Sequence, residues 1–274
     1  MAMTSRRQLL KGLAGGGIAS ALPTASTAET QAINFVLVHG TWHGGWVWRD
    51  VRNILTLLGH RVFTPTCTGC GEREHLSSPA IGLDTHIEDV SRVIEFEELE
   101  SLVLVGHSFS GLTITGVADR HREKIQRIVF FDAVVPREGR MSGLAKDPAT
   151  GAYPDWWLER EKKFVDGYKM NMWDEYPVEM LVPRHMSEHT ERLRRLITTH
   201  PARQWTDDLV LSNGGWHGLR RAFIHCVGQE YKMSSEKMVG PARAPGWDFI
   251  EIDAPRNAMM THPQLIADTL LGLA

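Results

Sequence analysis

The sequence predicts an α/β protein: a mostly parallel sheet covered by helices on both faces, with a helical cap inserted late in the chain. Three observations carry that prediction. From Ala32 onward, short apolar β-branched runs alternate with longer amphipathic stretches, the pattern of strands buried on both faces beneath packed helices. Between about 137 and 221 that rhythm breaks into a stretch rich in Trp, Met and charge. A glycine-flanked serine follows one of the apolar runs directly. With 274 residues, 42% hydrophobic and 23% charged, the chain has material for one large core.

Taken in order, residues 1–30 read as an address label. Ser5-Arg6-Arg7-Gln8-Leu9-Leu10-Lys11 precedes a mildly apolar Gly/Ala-rich run to Pro23 and a small-residue exit, Ser26-Thr27-Ala28. This resembles a twin-arginine export signal, so the expected location is periplasmic or extracellular. The domain proper is expected over 31–274. Its predicted elements are a buried strand at 34–38, a helix at 48–59, a strand at 60–64 and a helix at 85–99. A strand at 101–105, a helix after Gly111 and a strand at 125–131 follow. The cap, about 137–221, is expected to be helical with no clear strand. Strands at 222–227 and 248–252 and a closing helix at 263–273 complete the domain.

Composition excludes several classes. A formal net charge of −3 with mixed signs offers no broad basic surface for nucleic acid. No segment approaches the roughly 20 apolar residues needed to span a bilayer. Three cysteines, Cys67, Cys70 and Cys226, are too few to staple a chain of this size. Cys67 and Cys70 form a C-x-x-C pair without a thioredoxin-like context, and packing is the expected role.

The strongest chemical signal is Gly106-His107-Ser108-Phe109-Ser110-Gly111, between a strand and a helix. Small residues around Ser108 let the chain turn sharply, so the hydroxyl stands above the carboxyl edge of the sheet at a helix N-terminus. The second signal is His39-Gly40-Thr41-Trp42-His43-Gly44-Gly45-Trp46 after the first strand. A His-Gly turn there places backbone N–H groups beside the serine, and Thr41 and Phe109 are the expected oxyanion donors. His39 and His43 are expected to brace the turn. No neighbouring carboxylate or cysteine completes a metal site with them, and no cofactor is expected.

These motifs, with the loop Thr64 to Arg73 and the segment Leu83-Asp84-Thr85-His86-Ile87, resemble the bacterial α/β-hydrolase group that contains pyrethroid-hydrolase-type carboxylesterases. More distantly the chain is similar to plant methylesterases and hydroxynitrile lyases. The resemblance is dense from about 33 to 138, returns at the C-terminus and is thin across the cap. It implies the α/β-hydrolase fold and metal-free ester hydrolysis through an acyl-serine on Ser108.

A serine hydrolase also needs a base and an acid, since an unassisted hydroxyl is a poor nucleophile. Similar enzymes carry Gly-His-Asp/Asn-Ala-Met before the last helix. Here the run is Pro255-Arg256-Asn257-Ala258-Met259, which puts Arg256 where the histidine belongs. Arginine stays protonated and cannot act as a general base. Three readings stay open: a variant disabled at this position, a protein that has given up hydrolysis, or a base supplied by another histidine. His262 is the nearest candidate, although its place beside Pro263 suits a helix entry; His107 adjoins the nucleophile but is expected to diverge from it. For the acid, Asp132 at the end of the strand 125–131 is preferred over Glu230, with Gln229 at the gapless match.

Trp42, Trp156, Trp157, Met172 and Trp173 are the candidates to line an apolar pocket, with at most half of the cap's rings and methionines touching ligand. The expected ligand is a small hydrophobic, aromatic carboxylic ester. The alternatives are a silent binding protein that retains the pocket, or a hydroxynitrile-lyase-like enzyme on the same scaffold.

Overall fold

The computed structural model describes residues 31–136, 141–142, 146–147, 149–174, 176–229 and 236–274. The export-type segment at 1–30 and the candidate acid Glu230 lie outside the described residues.

Six strands form one sheet: β1 (Asn34–Val38), β2 (Arg61–Phe63), β3 (Leu102–His107), β4 (Ile125–Phe131), β5 (Arg221–Cys226) and β6 (Trp247–Ile252). Their order is β6-β5-β4-β3-β1-β2, and every pairing is parallel. All carboxyl ends therefore open on one edge, where loops meet.

The strand sequences explain why both faces are covered. Side chains alternate in direction along a strand, so Phe35, Leu37, Val103, Val105, Val129 and Phe131 point into one core. Val36, Val38, Leu104, Ile128 and Phe130 point into the other. An apolar residue at every position is thus a demand from two cores at once. Helix α1 (Arg49–Leu57) packs with α6 (Pro263–Leu273) on the first face, and α2 (Leu83–Phe96) with α3 (Ser110–Arg120) on the second. In α2 the buried set Leu83, Ile87, Val90 and Ile94 recurs every three or four residues, the spacing of one helical stripe. Pro263 opens α6, where its missing N–H costs nothing.

Between β4 and β5 the chain builds the cap. Its helices include α4 (Asp155–Glu161) and α5 (Ser187–Leu196). It also holds two antiparallel pairs, Met141–Ser142 with Asp208–Leu209 and Lys169–Met170 with His200–Pro201. The expectation of a strand-free cap is corrected here. Two-residue strands join segments far apart in sequence and leave no alternating pattern to read. Among the described residues no helix is long and apolar enough to cross a membrane.

Candidate active site

Ser108 stands between β3 and α3 with φ of +60°, the left-handed turn that a strand-to-helix elbow demands. Its neighbours are small because the packing leaves no room. A Cβ on Gly111 would lie 1.8 Å from Val134 O, and one on Gly40 would lie 2.8 Å from Ser108 Cβ. The elbow is pinned by Ser108 N–H to Phe131 O at 3.1 Å and Val134 N–H to Ser108 O at 2.9 Å. The Ser110 hydroxyl donates to His107 O at 2.8 Å.

The loop after β1 comes over this turn. Trp42 also has a left-handed backbone, φ +66°, an unusual state for a bulky residue. Contacts on several sides hold it: its indole N–H donates to Met170 O at 3.2 Å, its amide to His200 Nδ1 at 3.4 Å, and its carbonyl accepts from Thr198 N–H at 3.2 Å. Among the described residues neither Thr41 N–H nor Phe109 N–H has an acceptor. Both line the same cavity as Ser108. Two free amides beside a serine are the donors a developing oxyanion needs.

The histidines of the loop are braces. His39 Nδ1–H donates to Gly40 O at 2.9 Å while its Nε2 accepts from Cys67 N–H at 3.1 Å. His43 Nδ1–H donates to Thr41 O at 2.7 Å, and its Nε2 accepts from the Asn257 amide at 2.9 Å. Burial pushes both imidazoles down to about 4, so they stay neutral at pH 7. His107 is also buried, and burial with the Arg256 charge holds its imidazole well below the usual range.

Arg256 follows β6 and is almost wholly buried. One guanidinium nitrogen, Nη1, bonds Asp132 Oδ2; the other, Nη2, donates to Ser108 Oγ at 2.8 Å. The arginine thus bridges a serine hydroxyl and a carboxylate, the kinds of group that an imidazole joins in a catalytic triad. Asp132, at the end of β4, is fully buried with φ +43°. It accepts from His225 Nδ1 at 3.2 Å and from the Gln229 amide at 3.4 Å. Burial alone would raise its carboxyl, but the Arg256 charge and the His225 bond outweigh it and hold the group below the ordinary range. The structure therefore brings Ser108, Asp132 and Arg256 together with Thr41 and Phe109. His262 is elsewhere, its Nδ1 on Thr261 Oγ1 at 2.8 Å beside the start of α6.

The apolar wall differs from the sequence expectation. Trp42 lines the cavity, with Val134, Tyr176, Met180, Leu181 and Trp205. Trp156, Trp157, Met172 and Trp173 do not: Trp157 and Met172 are fully buried in the core beneath the cap, Trp156 is half exposed, and Trp173 packs against that core beside Arg194. Trp157 instead backs Trp205, whose ring stacks face to face on Phe109 at 4.6 Å and donates to Thr41 Oγ1 at 3.1 Å. Sequence reasoning missed Trp205 and His225. The first is a lone ring in the polar run Arg203-Gln204-Trp205-Thr206-Asp207; the second is a polar residue in an apolar strand end, a signal that was present.

One further group of ligand-type atoms is close-set: Cys70, His86 and His200, all buried, within 4.8 Å of one another. Hydrogen bonding accounts for their placement. His200 Nε2–H donates to Gln204 Oε1, which leaves Nδ1 to accept from the Cys70 thiol at 3.3 Å and from the Trp42 amide. His86 Nε2–H donates to Thr68 O at 3.1 Å. The trio ties the loop after β2, helix α2 and the cap to the loop that carries Thr41. Cys67 and Cys70 are free, buried thiols, raised by that burial.

The sequence model of the alpha/beta hydrolase family matches residues 35–269. The chain belongs to that family. Among curated relatives of this hydrolase-family chain is a carbendazim hydrolyzing esterase of Nocardioides sp. (strain SG-4G), 36% identical over 88% of this chain and 99% of its own. Methylesterase 2 of Arabidopsis thaliana is 26% identical over 90% and 97% of the two chains. Among solved structures, an extracellular alpha/beta-hydrolase from a Paenibacillus species superposes with a TM-score of 0.71 at 19% identity, covering 88% of this hydrolase-family chain and 99% of its own. The pyrethroid hydrolase PytH superposes at 0.64 with 16% identity, over 88% and 96%. Both structures support the fold.

Proposed function

We propose that this chain is a carboxylic-ester hydrolase of small hydrophobic, aromatic esters, with acyl transfer on Ser108 slowed by the arginine in the base position. The observation that carries the reading is Arg256 Nη2 at 2.8 Å from Ser108 Oγ with its other arm on Asp132. Ser108 Oγ bonds to the ester carbonyl carbon, the carbonyl oxygen takes the Thr41 and Phe109 amides, and collapse expels the alcohol. Water then cleaves the acyl-serine to the acid. The serine proton must leave as the new bond forms, and a guanidinium has five donors and no acceptor. In this chain the proton goes to solvent hydroxide. The aromatic preference rests on Trp42, Trp205 and Tyr176 in the cavity wall, and the relatives named as esterases support the reaction class. Export through the segment at 1–30 belongs to the same proposal.

The test is hydrolysis of a short-chain aryl ester by this chain and by Arg256→His. Restoring a general base is expected to raise kcat/KM by about 10²–10⁴-fold. The parent rate should climb with hydroxide across pH 6–9, while the variant should bend near the histidine pKa. Equal rates with equal pH profiles would remove position 256 from the mechanism. If the variant also fails to turn over while both bind the ester, the reading as a binding protein that retains the pocket takes its place.

A further inference from the structure

Away from the chemistry on Ser108, Cys70, His86 and His200 bring one sulfur and two ring nitrogens together in the buried core. They come from three segments: the loop after β2, helix α2 and the cap's pairing of Lys169–Met170 with His200–Pro201. Cys70 Sγ lies 3.3 Å from His200 Nδ1 and 3.9 Å from His86 Nε2, and the three groups offer donor atoms within 4.8 Å of one another. Zinc bonds of about 2.3 Å to sulfur and about 2.0–2.1 Å to nitrogen, at tetrahedral angles, set donors about 3.3–3.6 Å apart. The two sulfur–nitrogen separations bracket that spacing. Hydrogen bonding sets the lone pairs as well as the positions. His200 Nε2–H is held by Gln204 Oε1, the kind of outer bond that fixes the tautomer of a metal-binding imidazole, and Nδ1 is left turned toward the thiol. His86 is wholly buried, and its Nδ1 has no hydrogen-bond partner among the described residues. Thr68 O, 3.1 Å from His86 Nε2, adds an oxygen at the edge of the group. The surroundings suit a cation: Asp89 and Glu74 act on the Cys70 thiol with one sign and Arg73 with the other, a balance of one negative charge. With the thiolate that makes two, the charge of a divalent ion.

We propose that Cys70 Sγ, His86 Nε2 and His200 Nδ1 bind a zinc-class divalent ion that ties the cap to the sheet, with Thr68 O or water as the fourth ligand. Thiolate and imidazole favour such an ion over magnesium or calcium, which take oxygen donors. Binding releases one proton: the Cys70 S–H bond breaks as the sulfur–metal bond forms, and the proton goes to solvent. The His86 proton moves from Nε2 to Nδ1, so one ring nitrogen lacks a partner in either state and ligation adds no second. The costs are the Nε2–H bond to Thr68 O and the long Trp42 amide contact with His200 Nδ1. Three metal–ligand bonds in a site shielded from water outweigh them. The ion takes no part in chemistry on Ser108, and the inference does not depend on the ester-hydrolase reading.

The test produces the untagged full chain in zinc-supplemented medium, dialyses it against zinc-free buffer containing magnesium, and counts the retained zinc by mass spectrometry, beside Cys70→Ala and Cys67→Ala. The parent and Cys67→Ala should retain about one zinc per chain, and Cys70→Ala less than about a tenth of that. Cobalt supplied in place of zinc should give a sulfur-to-metal charge-transfer band and the visible bands of a four-coordinate ion, both absent in Cys70→Ala. No retained zinc in the parent, equal retention in Cys70→Ala, or cobalt bound without the sulfur band would overturn the proposal. So would loss of the metal from Cys67→Ala with retention in Cys70→Ala. Should Cys70→Ala not fold, the parent's cobalt spectrum decides: one thiolate with nitrogen donors supports the site, and oxygen donors alone overturn it.

Discussion

The two halves of the Ser108 cavity make an instructive contrast. On the Ser108 side the backbone has what the proposed acyl transfer asks of it: a left-handed Ser108, glycines where a Cβ would collide, and, among the described residues, two amides with no acceptor. On the other side the loop after β6 brings Arg256 to Ser108, and a guanidinium cannot take a proton. Geometry and chemistry have separated within one site. The elbow is locked by packing that also holds the sheet to α3, so changing it would harm the fold. Arg256 sits at a loop end, where its guanidinium is paired with the Asp132 carboxylate.

If that contrast is right, Asp132 does different work in two backgrounds. In Arg256→His, Asp132→Asn should cost about 10²–10⁴-fold in kcat/KM, because the imidazole loses the group that orients it. In the parent, the same change takes the Asp132 carboxylate from a buried guanidinium. It should cost about 3–5 kcal/mol of stability in urea unfolding while the already slow hydrolysis changes little. Equal kinetic losses in the two backgrounds would break the contrast.

Gly111→Ala probes the other half. With a Cβ 1.8 Å from a backbone carbonyl, the change should destabilise the fold by about 3 kcal/mol or prevent folding, read by the urea midpoint and expression yield. A neutral result would mean that the elbow is looser than its packing implies.

The braces respond to acid. His39 and His43 are held neutral in the folded chain, lowered from 6.5 to about 4. The unfolded chain therefore binds more protons between those values, and stability that is complete above pH 6.5 is lost as pH falls toward 4. By about pH 4 each has cost the folded state on the order of 3 kcal/mol relative to neutral pH. The Tm should fall steadily across that window, and a flat Tm would show that the loop does not depend on neutral histidines. The smallest effect is Trp205→Phe, which keeps an aromatic ring but removes the bond to Thr41 Oγ1. About 1 kcal/mol of stability should go, with a loss of apolar-ligand affinity no larger than about fivefold.

Legibility followed locality. Strand β4 and helix α6 lie where the sequence places them, because continuous apolar runs and a Pro-led stripe are local signals. The elbow was readable for the same reason: six consecutive residues carry it. The position of Arg256 was legible through the Asn257-Ala258-Met259 match. The cap was not, since Met141–Ser142 pairs with Asp208–Leu209 across more than sixty positions, and no periodicity survives in two-residue strands. Its rings were misplaced for the same cause. Trp157 and Met172 have the composition of a pocket, yet they support the wall from behind while Trp205 and Tyr176 face the cavity.

The sequence by itself determined the doubly covered sheet, the serine on its turn, the two candidate oxyanion amides and the absence of a histidine at the usual place. Each is written in adjacent residues, where backbone sterics and side-chain alternation act directly. Only the tertiary structure decided what Arg256 does. Its two arms meet Ser108 and Asp132 across 148 and 124 positions, and the direction of a hydrogen bond depends on which groups folding brings together.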